Sequence, residues 1–185
     1  HPLAGPGPAH DQLHLARVAL RPRRPVPGQG VLDPSVTRMR VRPGDLDLYL
    51  HVNNGVYLQM MDVARTNLLA DLGGLGALRE RGWCPVVAAS TVSYRRSLRL
   101  RDRFTITSRV LGWDPRVAYL EQVFTRGTEL VVRAWVAGRF LARGGGRVPA
   151  PDVVALLGGD VQSPPLPDDV AAWARAVGVA HRDPS

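Results

Sequence analysis

The chain has 185 residues, 45% of them hydrophobic and 22% charged, and a net charge of +8. That is the size and balance of one soluble domain with extended ends, and no stretch reaches the roughly 18 consecutive apolar residues of a membrane span. The single cysteine, Cys84, excludes an intrachain disulfide and a cysteine-rich zinc site.

All 24 basic residues are arginine, beside 19 glycines and 16 prolines. This bias reads as GC-rich codon choice, so the charge by itself gives no nucleic-acid role. A basic groove for an anionic small molecule, or a solvated surface, fits it better. The chain opens on His1 rather than methionine, and no signal-peptide pattern follows, so a processed end and a cytoplasmic location are expected.

Residues 1–32 are rich in Pro, Gly and Arg and lack a sustained period, which predicts an N-terminal arm with at most a short helix at Gln12–Leu20. Val36–Val41 alternates as a half-buried strand does, and Pro43-Gly44-Asp45 stops it. From Asn54 to Asp71, Tyr57, Met60, Met61, Ala64, Leu68 and Leu69 recur at spacings of three and four, drawing an apolar stripe down a helix. Gly73-Gly74 ends it, and a helical turn at Ala77–Arg81 follows. Four strand-like segments come next, Cys84–Tyr94, Arg103–Leu111, Val117–Thr125 and Glu129–Leu141, rich in Val, Thr, Ile and aromatics. Their breaks at Arg101-Asp102, Gly112-Trp113-Asp114-Pro115 and Arg126-Gly127-Thr128 are short, so neighbouring strands should run antiparallel. The central domain, 33–143, is therefore α+β, one helix packed on a curved antiparallel sheet. Residues 144–185 form a C-terminal extension with short helices at Pro151–Leu157 and Asp168–Val177, where Asp168 can cap and Gly178 can stop.

Chemistry concentrates at the junction between the first strand and the helix. Asp45, Asp47, His51, Asn53 and Asn54 fall within ten residues. Either asparagine can cap the helix, whose first N–H groups lack intrahelical partners and carry positive partial charge. A carbonyl oxygen placed there is polarised, and a carboxylate on the incoming loop can activate water or attack the same carbon. An Asp-rich turn with an Asn cap also opens many helices that do no chemistry, so on the residues alone both readings stand.

The run Asp47-Leu-Tyr-Leu-His51-Val-Asn53-Asn54-Gly-Val-Tyr57-Leu, continuing to Asp62-Val-Ala64-Arg65, resembles the signature of hotdog-fold acyl-CoA thioesterases. It is most similar to the 4-hydroxybenzoyl-CoA thioesterase-like group and its long-chain acyl-CoA branch. The resemblance implies a hotdog fold, a five-stranded antiparallel sheet around one long helix. It implies hydrolysis of an acyl-CoA to free acid and CoA, with Asp47 as the catalytic carboxylate and the helix start at Asn54 polarising the thioester carbonyl. Asn53 and His51 match positions that shape the loop, and Tyr57 a position near the substrate. Many relatives carry Gly where this chain has Leu50. The resemblance also implies a homodimer or dimer of dimers with its site at the interface. CoA enters only as part of the substrate, with no metal or other cofactor. An acyl-carrier-protein thioesterase, or a non-catalytic acyl-CoA-binding or assembly hotdog protein, is the alternative. A hydratase is disfavoured, because the remaining histidines, His1, His10, His14 and His181, lie in the ends.

Arg95, Arg99, Arg101 and Arg103 share parity, so an extended backbone would set them on one side. Arginine forks suit the phosphates of CoA, which makes Arg95, Arg99 and Arg101 candidate substrate-binding residues beside a solvated charge run as the plainer reading. Ser90 and Thr91 on the preceding strand are candidates for the acyl site. Asp62, an i,i+3 partner of Arg65, is a surface salt bridge or a reserve catalytic carboxylate. Cys84 is expected in the core, one of Glu121 and Gln122 exposed and the other inward, and Trp113, Trp135 and Trp173 in packing roles.

Overall fold

The computed structural model describes residues 23–183, so the helix expected at Gln12–Leu20 lies outside the described residues. In chain order the elements are β1 (Ser35–Arg40), a 3-10 turn (Pro43–Asp45), α1 (Asn54–Asp71), α2 (Leu75–Arg81), β2 (Cys84–Tyr94), β3 (Arg103–Trp113), β4 (Ala118–Arg126), β5 (Glu129–Leu141), β6 (Arg147–Val148), α3 (Ala150–Gly158) and α4 (Asp168–Ala176). The sheet order is β1-β3-β4-β5-β2, with every pair antiparallel. This is the α+β hotdog arrangement. The strand β6 is one more than the five expected. β4 begins at Ala118, opposite Gly138, so the end of β5 has a free side there, and β6 pairs with Phe140 and Leu141.

The stripe on α1 buries Tyr57, Met60, Met61, Ala64 and Leu68 against Phe104, Ile106, Phe124, Val132 and Val136 of the sheet. Each large side chain fully buried in this way contributes about 1.5–3 kcal/mol, so the helix is held by packing far more than by intrinsic propensity. Gly73, at φ 69°, ends the helix in the left-handed conformation that glycine adopts freely.

The opposite face of the sheet is covered too. Val117, Tyr119 and Ala137 pack against Val170 and Ala174 of α4, with Trp135 and Trp173 in contact at 6.1 Å between ring centroids. Proline 167 takes the N-cap position of α4, so Asp168 falls inside the first turn rather than capping it; Gly178, at φ 76°, follows the helix as expected. The segment leading to α4 crosses β3 at Gly112, where an added Cβ would sit 2.9 Å from both the Pro164 carbonyl and the Ser163 hydroxyl. The Ser163 hydroxyl accepts the Trp113 N–H at 2.8 Å. Gly112 therefore belongs to β3 and not to the following turn, because its missing side chain admits the crossing chain.

One polar network was not read from the sequence. Asp71 is buried at the C-terminal end of α1, where the helix dipole disfavours a carboxylate. Its Oδ2 accepts from Arg23 Nη2 and from Ser35 Oγ, each at 2.6 Å. Arg23 also donates to the Val36 carbonyl at 2.9 Å, which ties the chain before β1 across the start of that strand. Cys84 corrects an expectation. It is exposed, because β2 is an edge strand and the start of such a strand has no covering layer.

Candidate active site

Between the 3-10 turn and α1 the chain makes a tight loop, closed at its base by an antiparallel bridge between Leu46 and Val52. Asp47 organises it. Its N–H donates to the His51 carbonyl at 2.8 Å, and its carbonyl accepts from the Leu50 N–H at 3.1 Å. Its Oδ1 accepts from the N–H groups of Tyr49 and His51 at 2.8 and 3.2 Å. Oδ2 takes no hydrogen bond from the described residues. Leu50 sits at φ 61°, the left-handed region that favours glycine, so the loop takes a turn that a non-glycine residue adopts only at a cost. Leu48, 98% exposed, and Tyr49 form the tip.

Asn53, not Asn54, is the N-cap: its Oδ1 accepts the Gly55 N–H at 2.8 Å, and its carbonyl accepts from Val56 at 2.9 Å. The N–H of Asn54 has no partner among the described residues and carries the positive end of the helix. Asp45 shapes the approach, since its Oδ2 accepts the Arg42 N–H and its carbonyl the Asn53 N–H. A carboxylate with one open oxygen thus stands on the loop that leads into an open helix N–H.

Beside the loop lies a cleft of about 550 Å³ lined by His51, Arg96, Ser97, Arg99, Asp102 and Arg126. It corrects the parity argument. Residues 95–102 are not extended; Arg101 takes φ 67°, and the Arg99 N–H folds back to Asp102 Oδ2 at 2.9 Å. Arg99 lines the cleft, while Arg95 and Arg101 do not, and Arg96, of the other parity, does. Arg126, the last residue of β4, was not foreseen as a site residue. It reaches Asp102 at 2.6 Å and Glu129 at 3.0 Å, and these two carboxylates raise its pKa. Partial burial pushes Asp102 up, but the Arg99 N–H and the Arg126 guanidinium outweigh it and hold the carboxyl below its ordinary range. The only cue in the sequence was an acidic residue in one turn and a basic one in another.

Ser90 pairs with Val136 and Thr91 with Trp135, so they lie on opposite faces of β2. Ser90 shares the α1 face, and Thr91 the face under α4. Tyr57 is buried in the core at 2% exposure, its ring edge-on to Tyr94 and Phe124 at 5.3 and 5.6 Å. Burial raises its phenol pKa, so it stays a neutral hydroxyl. Asp62 pairs with Arg65 as the spacing suggests, but the pair is only half at the surface. The Arg65 guanidinium runs inward to Gln122 Oε1 at 2.8 Å, and burial lowers its pKa to about 10. Gln122 is the inward polar residue of β4, donating to the Met61 carbonyl and to Ser108; Glu121 pairs with Arg133 on the other face. Among the described residues no group of three or more His, Cys, Asp or Glu is placed to hold a metal ion.

Loop, helix start and sheet define a class, and the chain belongs to the thioesterase-like superfamily, whose family model matches residues 41–174. Protein THEM6 of Xenopus laevis is 36% identical over 137 residues, 73% of this chain and 64% of that protein. Protein THEM6 of Danio rerio is 32% identical over 166 residues, 89% of this chain and 81% of that one. The long-chain acyl-CoA thioesterase FadM of Escherichia coli is 34% identical over 89 residues, 48% of this chain and 67% of FadM. Among solved structures, the YbaW probable thioesterase from Escherichia coli superposes with a TM-score of 0.61 at 25% identity, covering 66% of this chain and 98% of that one. The BH1999 gentisyl-coenzyme A thioesterase shares the fold, with a TM-score of 0.60 over 64% of this chain and 98% of its own.

Proposed function

We propose that this protein is an acyl-CoA thioesterase that uses Asp47 and the start of α1. The carrying observation is the Asp47 carboxylate, fixed through Oδ1 by two loop N–H groups, on the loop that ends at the open Asn54 N–H. With an acyl-CoA bound, the Asn54 N–H polarises the thioester carbonyl. Asp47 takes a proton from water as the oxygen adds to the carbonyl carbon, and the resulting oxyanion stays at the helix N-terminus. The C–S bond then breaks, the thiolate takes up the proton, and free acid and CoA leave. His51, whose Nδ1 is buried without a hydrogen-bond partner among the described residues, shapes the wall between loop and cleft. Arg96 and Arg99 give that cleft the charge suited to an anionic substrate. The similarity to FadM supports a fatty acyl group, and a cytoplasmic location goes with an acyl-CoA pool.

The reading includes a homodimer. β2 is a long edge strand with Val86, Val87 and Tyr94 exposed, and an uncovered edge of that length is suited to a partner strand. The exposed Leu48 and Tyr49 beside the site give a second protomer an apolar surface to cover.

The test is a panel of acyl-CoA and acyl-carrier-protein thioesters, assayed with wild type and Asp47→Asn. Asparagine keeps an oxygen for the two loop N–H groups but loses the base, so turnover should fall by about 10²-fold or more with the fold intact. Wild-type turnover in the variant sinks the assignment and moves the role to Asp62. Faster turnover of the carrier-protein substrate moves the substrate class, and saturable CoA binding without turnover on any thioester removes the enzyme reading.

A further inference from the structure

Three pieces of chain meet at Leu98. The Tyr57 hydroxyl, one turn into α1, accepts the Leu98 N–H at 3.1 Å. The Leu98 carbonyl accepts the Val52 N–H at 3.3 Å, at the base of the Asp47 loop. Val52 leads directly into Asn53, which caps the helix that carries Tyr57. Leu98 is fully buried and belongs to no strand or helix, so the two bonds hold it where sheet hydrogen bonds cannot. On its two sides stand Arg96 and Arg99, the wall of the cleft.

We infer that Tyr57 is a positioning residue, whose hydroxyl fixes the arginine wall and the Asp47 loop to the start of α1 as one unit. The inference rests on the thioesterase reading for its functional meaning, but not for its geometry. Burial keeps the phenol neutral, and the neutral hydroxyl oxygen accepts the Leu98 N–H without placing a charge in the core. The ring itself packs against Tyr94 and Phe124 and would do so without its oxygen. Removal of the oxygen therefore leaves packing in place and strands the buried Leu98 N–H.

The experiment compares wild type, Tyr57→Phe and Ile106→Val by hydrogen exchange and by steady-state kinetics. Ile106 is buried in β3, outside the cleft lining, and carries no polar atom that could bond Leu98, so its variant reports a plain loss of core packing. In Tyr57→Phe, amide exchange should rise together in residues 46–53 and 95–102, by about tenfold, the ratio expected for one lost hydrogen bond. kcat/KM on the best acyl-CoA should fall by a similar factor. Ile106→Val should lower the melting temperature with kcat/KM unchanged. Faster exchange in only one segment, or in neither, overturns the coupling. Faster exchange in both with unchanged kcat/KM overturns the positioning role. A wild type with no turnover on any thioester sinks the thioesterase reading, and exchange alone then decides whether Tyr57 couples the segments.

Discussion

Leu50 carries a strain that one atom's worth of chemistry explains. At φ 61° its Cβ crowds the following carbonyl, which costs a non-glycine residue about 1–2 kcal/mol, and its exposed side chain recovers little by burial. Leu50→Gly removes the crowding but adds freedom to the unfolded chain, so a net gain of about 0.5–1 kcal/mol is expected in urea unfolding. Leu50→Val should lose stability, since a branched Cβ is worse in that region. The site's local part was legible from sequence for a physical reason. Asp47, Asn53 and Asn54 lie within eight residues of one another, and loop-to-helix geometry is set over such a short span. Even there, spacing left the cap open between two asparagines, and only the Gly55 N–H on Asn53 decided it. Arg126 and Asp102 were not legible, because they meet across 24 residues of chain and their pairing depends on the register between β3 and β4.

The segment between β2 and β3 and the end of β4 that it meets depend on charge. The Asp102 pKa is lower folded than unfolded, so the stabilisation from Asp102 is complete above the ordinary carboxylate value of about 3.9 and is lost as pH falls through the lowered one. Wild type should therefore exceed Asp102→Asn in melting temperature by a constant margin from neutrality to about pH 5, and the margin should close by about pH 3. A margin that does not change with pH assigns Asp102 to loop shape alone. In the same segment, Arg96→Ala with Arg99→Ala should raise KM with little effect on kcat, as for lost uniform binding, and added salt should weaken CoA binding in wild type more than in the double variant. Strands and helices were read from periodicity because each face repeats locally. The parity of the arginine run failed because periodicity presumes an extended chain, and Arg101 turns it. On β3, Gly112→Ala should destabilise by about 1–3 kcal/mol, since the new methyl meets the Pro164 carbonyl as well as the Ser163 and Leu166 side chains. Equal unfolding midpoints for Gly112→Ala and wild type would show that the crossing chain yields.

For the whole molecule, α1 and α4 cover opposite faces of the sheet's centre, and the long edge at β2 stays open. The exposed position of Cys84 belongs to this scale: sequence shows a strand, but whether that strand is an edge depends on the order of all the others. If β2 is the dimer edge, sedimentation should give a dimer, and Val87→Lys on that strand should shift it to monomer and reduce turnover together; a fully active monomer would remove the interface from the site. The cover that α4 lays over Val117, Tyr119 and Ala137 has a consequence in time as well as in space. A ribosome releases this chain from its N-terminal side, so the whole sheet is made while its second face is bare. That face stays bare until residues 168–176 emerge, and the chain must hold an apolar surface in water for the length of that wait. Translation stopped after β5 should therefore yield a polypeptide that captures chaperones or aggregates, whereas the same stop placed after Val179 should not.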